Sequence, residues 1–271
     1  MPAFSKQLLA PSEPTAAKVP EIIALFWIIK VLTTGMGEAA SDFLGHQHLV
    51  IAGIMCAIVF PFAIWLQRRV TRYVAPIYWF AVTMVAVFGT VVADGLHVGL
   101  RIPYAASSIV LTGAIVYVFR RWHRAEGSLS IHTITTSRRE TFYWWIVLLT
   151  FALGTSLGDM TAAEFHLGYF ASIFIFGGLM VVPLVARFVF RLNEVVAFWF
   201  AYIITRPFGA SIADWAGKKP GLAYGDGTVV AFAVVAIAAL VAYVTLRKPD
   251  IQSQRAHPHF VALPRPVVAV D

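Results

Sequence analysis

Residues 26–42 read FWIIKVLTTGMGEAASD, and the same frame returns at 78–94 (YWFAVTMVAVFGTVVAD), 143–159 (YWWIVLLTFALGTSLGD) and 198–214 (FWFAYIITRPFGASIAD). Each copy runs aromatic, tryptophan, nine residues, glycine, four residues, aspartate. The marker residues are Trp27, Gly37 and Asp42; Trp79, Gly89 and Asp94; Trp144, Gly154 and Asp159; Trp199, Gly209 and Asp214. Four of the chain's seven aspartates fall in this one register without a gap. Ten residues after the aspartate stands Tyr104, Tyr169 or Tyr224, with Ala52 in the first copy. A fixed frame repeated in tandem is the mark of a repeated supersecondary unit.

The copies lie in a very apolar chain. Of 271 residues, 59% are hydrophobic and 13% charged, and the mean hydropathy is +0.76. A soluble domain carries roughly 25% charged residues, so a soluble globular enzyme and a disordered chain are both excluded. Apolar runs cover about 22–43, 49–67, 74–94, 103–119, 141–160, 169–190, 194–214 and 226–246. Each approaches the ~20 residues a helix needs to cross a bilayer. A backbone in lipid must satisfy its own hydrogen bonds, so runs of this length read as helices. The expected fold class is all-α: a polytopic membrane protein of eight transmembrane helices, arranged as four parallel helix–helix repeats. The repeats take 20–72, 73–121, 140–191 and 192–248, with a connecting loop at 122–139 and polar tails at 1–19 and 249–271. The first tail has no apolar core of a secretory signal and reads as a mobile segment rather than a cleaved peptide. The single cysteine, Cys56, offers neither a disulfide nor a thiolate metal site.

Lysine and arginine orient the helices. Sixteen lie in the two tails and the breaks after the second, fourth and sixth runs, and three (Arg101, Lys218 and Lys219) lie on the other side. This asymmetry places both termini in the cytoplasm. The net charge of +7 is therefore topological, and no nucleic-acid partner is expected.

The four units, seen in TTGMGEAASDFL, FGTVVADGL, LGTSLGDM and FGASIADWAG, resemble a bacterial family of membrane-anchored proteins of unknown function. That family is built from four tandem two-helix repeats, each with a marker tryptophan. The resemblance covers about 20–246 and implies the fold and topology. It carries no catalytic or binding residues with it.

Fifteen residues of helix rise about 22 Å, which puts each tryptophan near one membrane interface and each aspartate near the other. The tryptophans suit an interfacial belt and the glycines close helix packing. An aspartate at a helix C-terminus opposes the helix dipole and gains nothing as a cap. Asp42, Asp94, Asp159 and Asp214 brought to one depth would form a cation-attracting mouth. The first unit adds Glu38, one turn deeper than Asp42 on the same face. A carboxylate inside a membrane is costly and marks a functional site. The candidate substrate or ion ligands are therefore Glu38, Asp42, Asp94, Asp159, Asp214 and Arg206, and the candidate metal ligands are Glu38, Asp42 and Asp159. Arg206 needs a carboxylate and is expected to pair with Glu38 or Asp42. Lys30 is near enough to one interface to snorkel. Thr33, Thr34, Thr90, Thr155, Ser156, Thr205 and Ser211 can ligate an ion or bond back to helix carbonyls. His46, His48, His97 and His166, with Glu164 and Asp226, form a looser set of metal-capable groups on the same side.

These readings point to a membrane transport protein, a secondary transporter and possible exporter of a cation, best fitted by a divalent metal such as manganese. Oxygen ligands with few sulfurs favour such hard ions. The alternatives are a transporter of a small organic solute, using the three tyrosines and Arg206, and a non-transporting scaffold or sensor. There is no G-x4-GK[ST] loop, no HExxH and no GxSxG, so neither an enzyme nor a cofactor is expected. The expected partners are the lipid bilayer and a small cation or solute.

Overall fold

The computed structural model describes residues 16–47 and 49–252. Residues 1–15 and 253–271, most of the two expected tails, and His48 lie outside them, as does the side chain of His46. The described residues form helices and connections with no strand. Helix α1 is Ala24–Gln47. Helix α2 spans 49–69, built from Leu49–Ile54, a wide π-helical turn Met55–Val59 and Phe60–Arg69. Then come α3 (Ala75–Asp94), α4 (Tyr104–Glu126), α5 (Ser137–Asp159), α6 (Gly168–Phe190), α7 (Glu194–Gly217) and α8 (Asp226–Arg247).

Six of the eight are long and apolar enough to cross a membrane. The other two are equally long, but α1 carries Lys30, Glu38 and Asp42, and α4 ends in Arg120, Arg121, Arg124 and Glu126. The α4 helix also runs past the apolar stretch, because Trp122 packs on Trp199 and on Phe142. Gly127 closes α4 in the left-handed region, φ 71°, where glycine is favoured. The next helix starts at Ser137, capped by the Thr136 hydroxyl accepting from Arg139 N–H. The loop expected over 122–139 therefore shrinks to the ten residues 127–136.

The odd helices form a closed ring, with α1 packed on α3, α3 on α5, α5 on α7 and α7 back on α1. Each even helix leans on the first helix of the following unit: α2 on α3, α4 on α5, α6 on α7 and α8 on α1. Phe60 stacks on Phe88 across the first of these pairs, and Gly177 meets Phe208 across the third. Burial follows this order. In the most apolar stretches of α3 and α5, 61% of residues are buried; in those of α2, α6 and α8 the shares are 18%, 11% and 17%. Phe174, Phe188, Phe232 and Val235 on the outer helices are exposed. Water would penalise such a surface, whereas hydrocarbon accepts it. The molecule is an all-α polytopic membrane protein of four two-helix repeats.

The repeat glycines lie at the four seams of the ring. A Cβ on Gly37 would come within 2.6 Å of the Ala86 Cβ, and one on Gly89 within 2.5 Å of the Phe151 Cβ. Gly154 meets Arg206 in the same way, and Gly209 meets Thr34. In every case the partner is the residue three before the next unit's own glycine. Small residues let the helix backbones approach this closely.

The tryptophans depart from the interfacial belt expected of them. Trp79, Trp144 and Trp199 are buried and Trp27 partly so. Each touches the aromatic residue that precedes the tryptophan of the unit before it. The pairs are Phe26–Trp79, Tyr78–Trp144, Tyr143–Trp199 and Phe198–Trp27, with ring centroids 5.7, 5.9, 6.3 and 5.9 Å apart. Aromatic pairs at this spacing gain beyond their burial, so these rings plug one end of the ring of helices.

The chain before α1 covers that plug. Lys18 is fully buried and pairs with Glu140 at 2.6 Å, and Gln67 and Trp144 also donate to Glu140. Glu21 N–H bonds to the Asp250 carbonyl, Lys18 N–H to that of Ile134, and Tyr73 donates to the Asp250 carboxylate. Burial raises both the Tyr73 hydroxyl and the Asp250 carboxyl above their ordinary values; the hydrogen bond between them raises the hydroxyl further and partly offsets the carboxyl's shift. Residues 16–19 and 249–252, expected to belong to the tails, thus join residues 20–23 and 248 in a packed cap.

Candidate functional site

Stepping by four along each odd helix from the aromatic before the tryptophan gives five layers, because i and i+4 share a helix face. From the plugged end they are Phe26, Tyr78, Tyr143 and Phe198; Lys30, Val82, Val147 and Tyr202; Thr34, Ala86, Phe151 and Arg206; Glu38, Thr90, Thr155 and Ala210; and the four aspartates. Contacts across the ring confirm that this stripe lines the axis. Thr155 on α5 donates to Glu38 Oε2 on α1 at 2.9 Å, although α1 and α5 are not neighbours in the ring. Three residues break the fourfold likeness with charge: Lys30, Arg206 and Glu38.

Glu38, Asp42 and Asp214 converge. One carboxylate oxygen from each lies within 4.8 Å of the others. Glu38 is 3% exposed. Two of these three belong to the set Glu38, Asp42 and Asp159 selected from sequence; Asp214 stands where Asp159 was expected. The reason is ring closure, which makes α7 the neighbour of α1 and leaves α5, the helix of Asp159, on the far side. Asp94 is held apart by the Ser41 hydroxyl at 2.6 Å. Asp94 and Asp159 each close their helix and lead into a π-helical turn, Gly95–Gly99 and Met160–Glu164, whereas α1 and α7 continue past Asp42 and Asp214.

Sequence reasoning missed Lys218. Its ammonium bridges Asp42 Oδ2 and Asp214 Oδ1, 2.7 Å from each. Burial alone would lower its pKa, but the Asp214 and Asp42 carboxylates outweigh that and hold the ammonium well above the usual lysine range. The i, i+4 spacing from Asp214 was a visible signal for half of this bridge. Asp42, Asp214 and the buried Glu38 thus gather three acids and one tethered ammonium at this end of the axis.

The two axial cations lie on the plugged side of this triad. Arg206 and Lys30 are each 1% exposed. The expected ion pair of Arg206 with Glu38 or Asp42 is absent among the described residues. Its guanidinium instead lies on the Phe151 ring, 2.7 Å from the centroid, and donates to Thr34 Oγ1 at 3.1 Å and Tyr202 Oη at 3.4 Å. Its Nε has no hydrogen-bond partner. Lys30 does not snorkel; its ammonium faces the Tyr202 ring at 3.2 Å. The helix is continuous through Pro207, and Arg206 is directed at the rings of its own layer and the one below. A desolvated cation–π contact gives about 2 kcal/mol, while burying an uncompensated ion costs several. The rings therefore offset part of that cost.

The remaining candidates disperse. His97 is a structural residue, bonded to the Ile102 carbonyl at 2.7 Å and to Ser156 and Ser107. Glu164 and His166 are exposed, and the acidic triad is the one metal-capable group among the described residues. Tyr104 packs on His97, the Tyr169 ring faces Lys218 and Tyr224 is exposed. Thr33, Thr34, Thr90 and Thr205 bond back to carbonyls of their own helices.

The fold and this site define a class: a membrane-type bundle of four repeats closed into a ring, with opposite charges stacked on its axis. The family model described as Repeat of Unknown Function (DUF347) matches residues 25–73, 77–128, 142–193 and 197–248, and the chain belongs to that family. The matched segments coincide with the four helix pairs. No curated protein and no solved structure matches the chain.

Proposed function

We propose that this protein is a secondary transporter of a cation, with a divalent metal such as manganese as the best-fitting substrate and export as its direction. The observation that carries the reading is the convergence of Glu38, Asp42 and Asp214 to within 4.8 Å at the axis of the ring. Three carboxylates with the Thr155 hydroxyl behind them are a hard oxygen set. Asp94 and Asp159, in the same layer, add negative charge around it. The substrate cation displaces the Lys218 ammonium when it binds.

The same axis argues for a carrier rather than a channel. Below Glu38 it holds two cations and then an aromatic plug, so a metal ion has no straight path through. Passage requires the ring to rearrange around the site, as alternating access does in other repeat-built transporters. The positive-inside asymmetry supports cytoplasmic termini, in what we read as a bacterial inner membrane. The cap then faces the cytoplasm and the triad opens outward.

The test is total cell metal by mass spectrometry under a panel of added divalent metals. Cells expressing the wild type should hold less of one metal than cells expressing Glu38→Gln, Asp42→Asn or Asp214→Asn, which should match cells without the protein. A wild type that shifts no metal while present in the membrane sinks the reading. The scaffold alternative, which lacks any use for a buried Glu38, would then lead. The organic-solute alternative rests on a different observation, the axial cations.

A further inference from the structure

Lys30 and Arg206 take no part in the cation site. They are buried, they come from adjacent helices α1 and α7, and neither makes an ion pair among the described residues. Both cations approach the same two rings: Lys30 Nζ lies 3.2 Å from the Tyr202 centroid and 5.7 Å from that of Phe151, and Arg206 Cζ lies 5.3 and 2.7 Å from them. The hydrogen bonds around them run one way. Arg206 donates to Thr34 and Tyr202, the Thr34 hydroxyl donates a hydrogen bond to the Lys30 carbonyl, and Arg206 Nε points at no acceptor. The layer has donors to spare and lacks a negative charge.

A purely structural role would recur around the ring, since the four helices meet in the same way at every seam. It does not. The positions equivalent to Lys30 are Val82, Val147 and Tyr202, and those equivalent to Arg206 are Thr34, Ala86 and Phe151. The cations come from α1 and α7, the two helices that also carry Glu38, Asp42 and Asp214 and lead to Lys218. Glu38 is one turn away on α1, but it is turned to Thr155 and the two aspartates.

We propose that Lys30, Arg206 and the hydroxyl of Tyr202 form a binding site for a small monovalent anion, a carboxylate or a halide, on the axis between the aromatic plug and Glu38. The anion supplies the charge that both cations face without and the acceptor that Arg206 Nε lacks, and the Phe151 and Tyr202 rings wall the site against water. At the capped end a cleft of about 1230 Å³ opens between the 127–136 connection, α6 and α7; its wall includes Trp27, Phe198 and Ala201, and the plug separates it from Lys30, Arg206 and Tyr202. Ala201 adjoins Tyr202 in the chain, and Phe198, in contact with Trp27, belongs to the layer next to Lys30. The cation and anion sites thus adjoin along the axis. The anion site stands whether or not the triad carries a metal.

The experiment uses the purified full-length protein in detergent at constant ionic strength, with sulfate as the reference anion. Sodium chloride and sodium acetate are titrated separately while tryptophan fluorescence and the melting temperature are followed. The wild type and Glu38→Gln should show the same saturable response, and the tighter of the two anions names the halide or carboxylate class. Arg206→Gln and Lys30→Met should each weaken that response at least tenfold. If Arg206→Gln does not purify as a single species, Lys30→Met carries the comparison. A wild type with no saturable response to either anion overturns the proposal, and so do variants that respond as the wild type does. Loss of metal transport in Glu38→Gln with anion binding intact keeps the failure of one reading separate from the failure of the other.

Discussion

Lys218 pairs with two of the three acids of the triad, and a cation entering the proposed site has to break that pairing. Its ammonium already occupies the space between Asp42 and Asp214, so a substrate gains only the difference between its own attraction and that of a tethered single charge. A divalent ion wins that exchange and a monovalent ion does not, which makes Lys218 a selectivity element of the proposed site. Removing the competitor as Lys218→Met should tighten Mn²⁺ binding to the purified protein by roughly tenfold, about 1.4 kcal/mol. It should also let Na⁺ compete. Calorimetric titration of both forms reads this directly; equal affinities would place Lys218 outside the site. The carboxylates were legible one by one, because an acid within an apolar run is conspicuous. Their grouping was not, because the register sets depth along a helix and says nothing about which helix stands opposite.

Helix packing rests on the seams. Replacing glycine by alanine in a helix gains about 1 kcal/mol of intrinsic propensity. At Gly89 the new Cβ would meet that of Phe151 at 2.5 Å, and overpacking of this kind costs about 1–3 kcal/mol. Gly89→Ala should therefore lower the melting temperature in detergent. Gly178, exposed on α6 with nothing within 4 Å of the added atom, is the matched control, and Gly178→Ala should leave the melting temperature unchanged or raise it slightly. If both variants behaved alike, the ring seams would not be the close contacts described. The glycines were readable as packing residues from their place in the repeat. The tryptophans misled, since the same residue serves at a lipid interface or between helices, and its burial depends on the neighbouring unit.

The whole molecule has two unlike ends, an acidic one and a capped one. The cap depends on Lys18 and Glu140, both fully buried. Breaking a buried pair from one side costs about 3–5 kcal/mol, because the other charge is left unpaired. Lys18→Met should thus destabilise the protein strongly in thermal unfolding, and Lys18→Met with Glu140→Gln should recover much of the loss. A double variant no better than the single would mean that the pair's charges are not what holds the cap. The direction of the molecule in the membrane is open to single-cysteine labelling, with Cys56→Ala as the background. An impermeant thiol reagent should reach a His166→Cys site in intact cells and a Ser128→Cys site after permeabilisation. The reverse pattern would invert the proposed topology.

The sequence by itself determined the helices, their number, the four-unit repeat and the depth of every charged residue along its helix. These are local properties: hydrophobic run length sets the span, and the rise per residue converts spacing into depth. The tertiary structure alone decided who meets whom. Closing the ring made α7 the neighbour of α1, which brought Asp214 rather than Asp159 to Glu38. It set Arg206 against Phe151 and Tyr202 instead of a carboxylate, and it drew the segment around Lys18 over the aromatic plug. Four near-identical units can pack in several orders with the same local pattern. The choice among them rests on side-chain fit at the seams, summed over contacts that are distant in the chain and therefore leave no spacing to read.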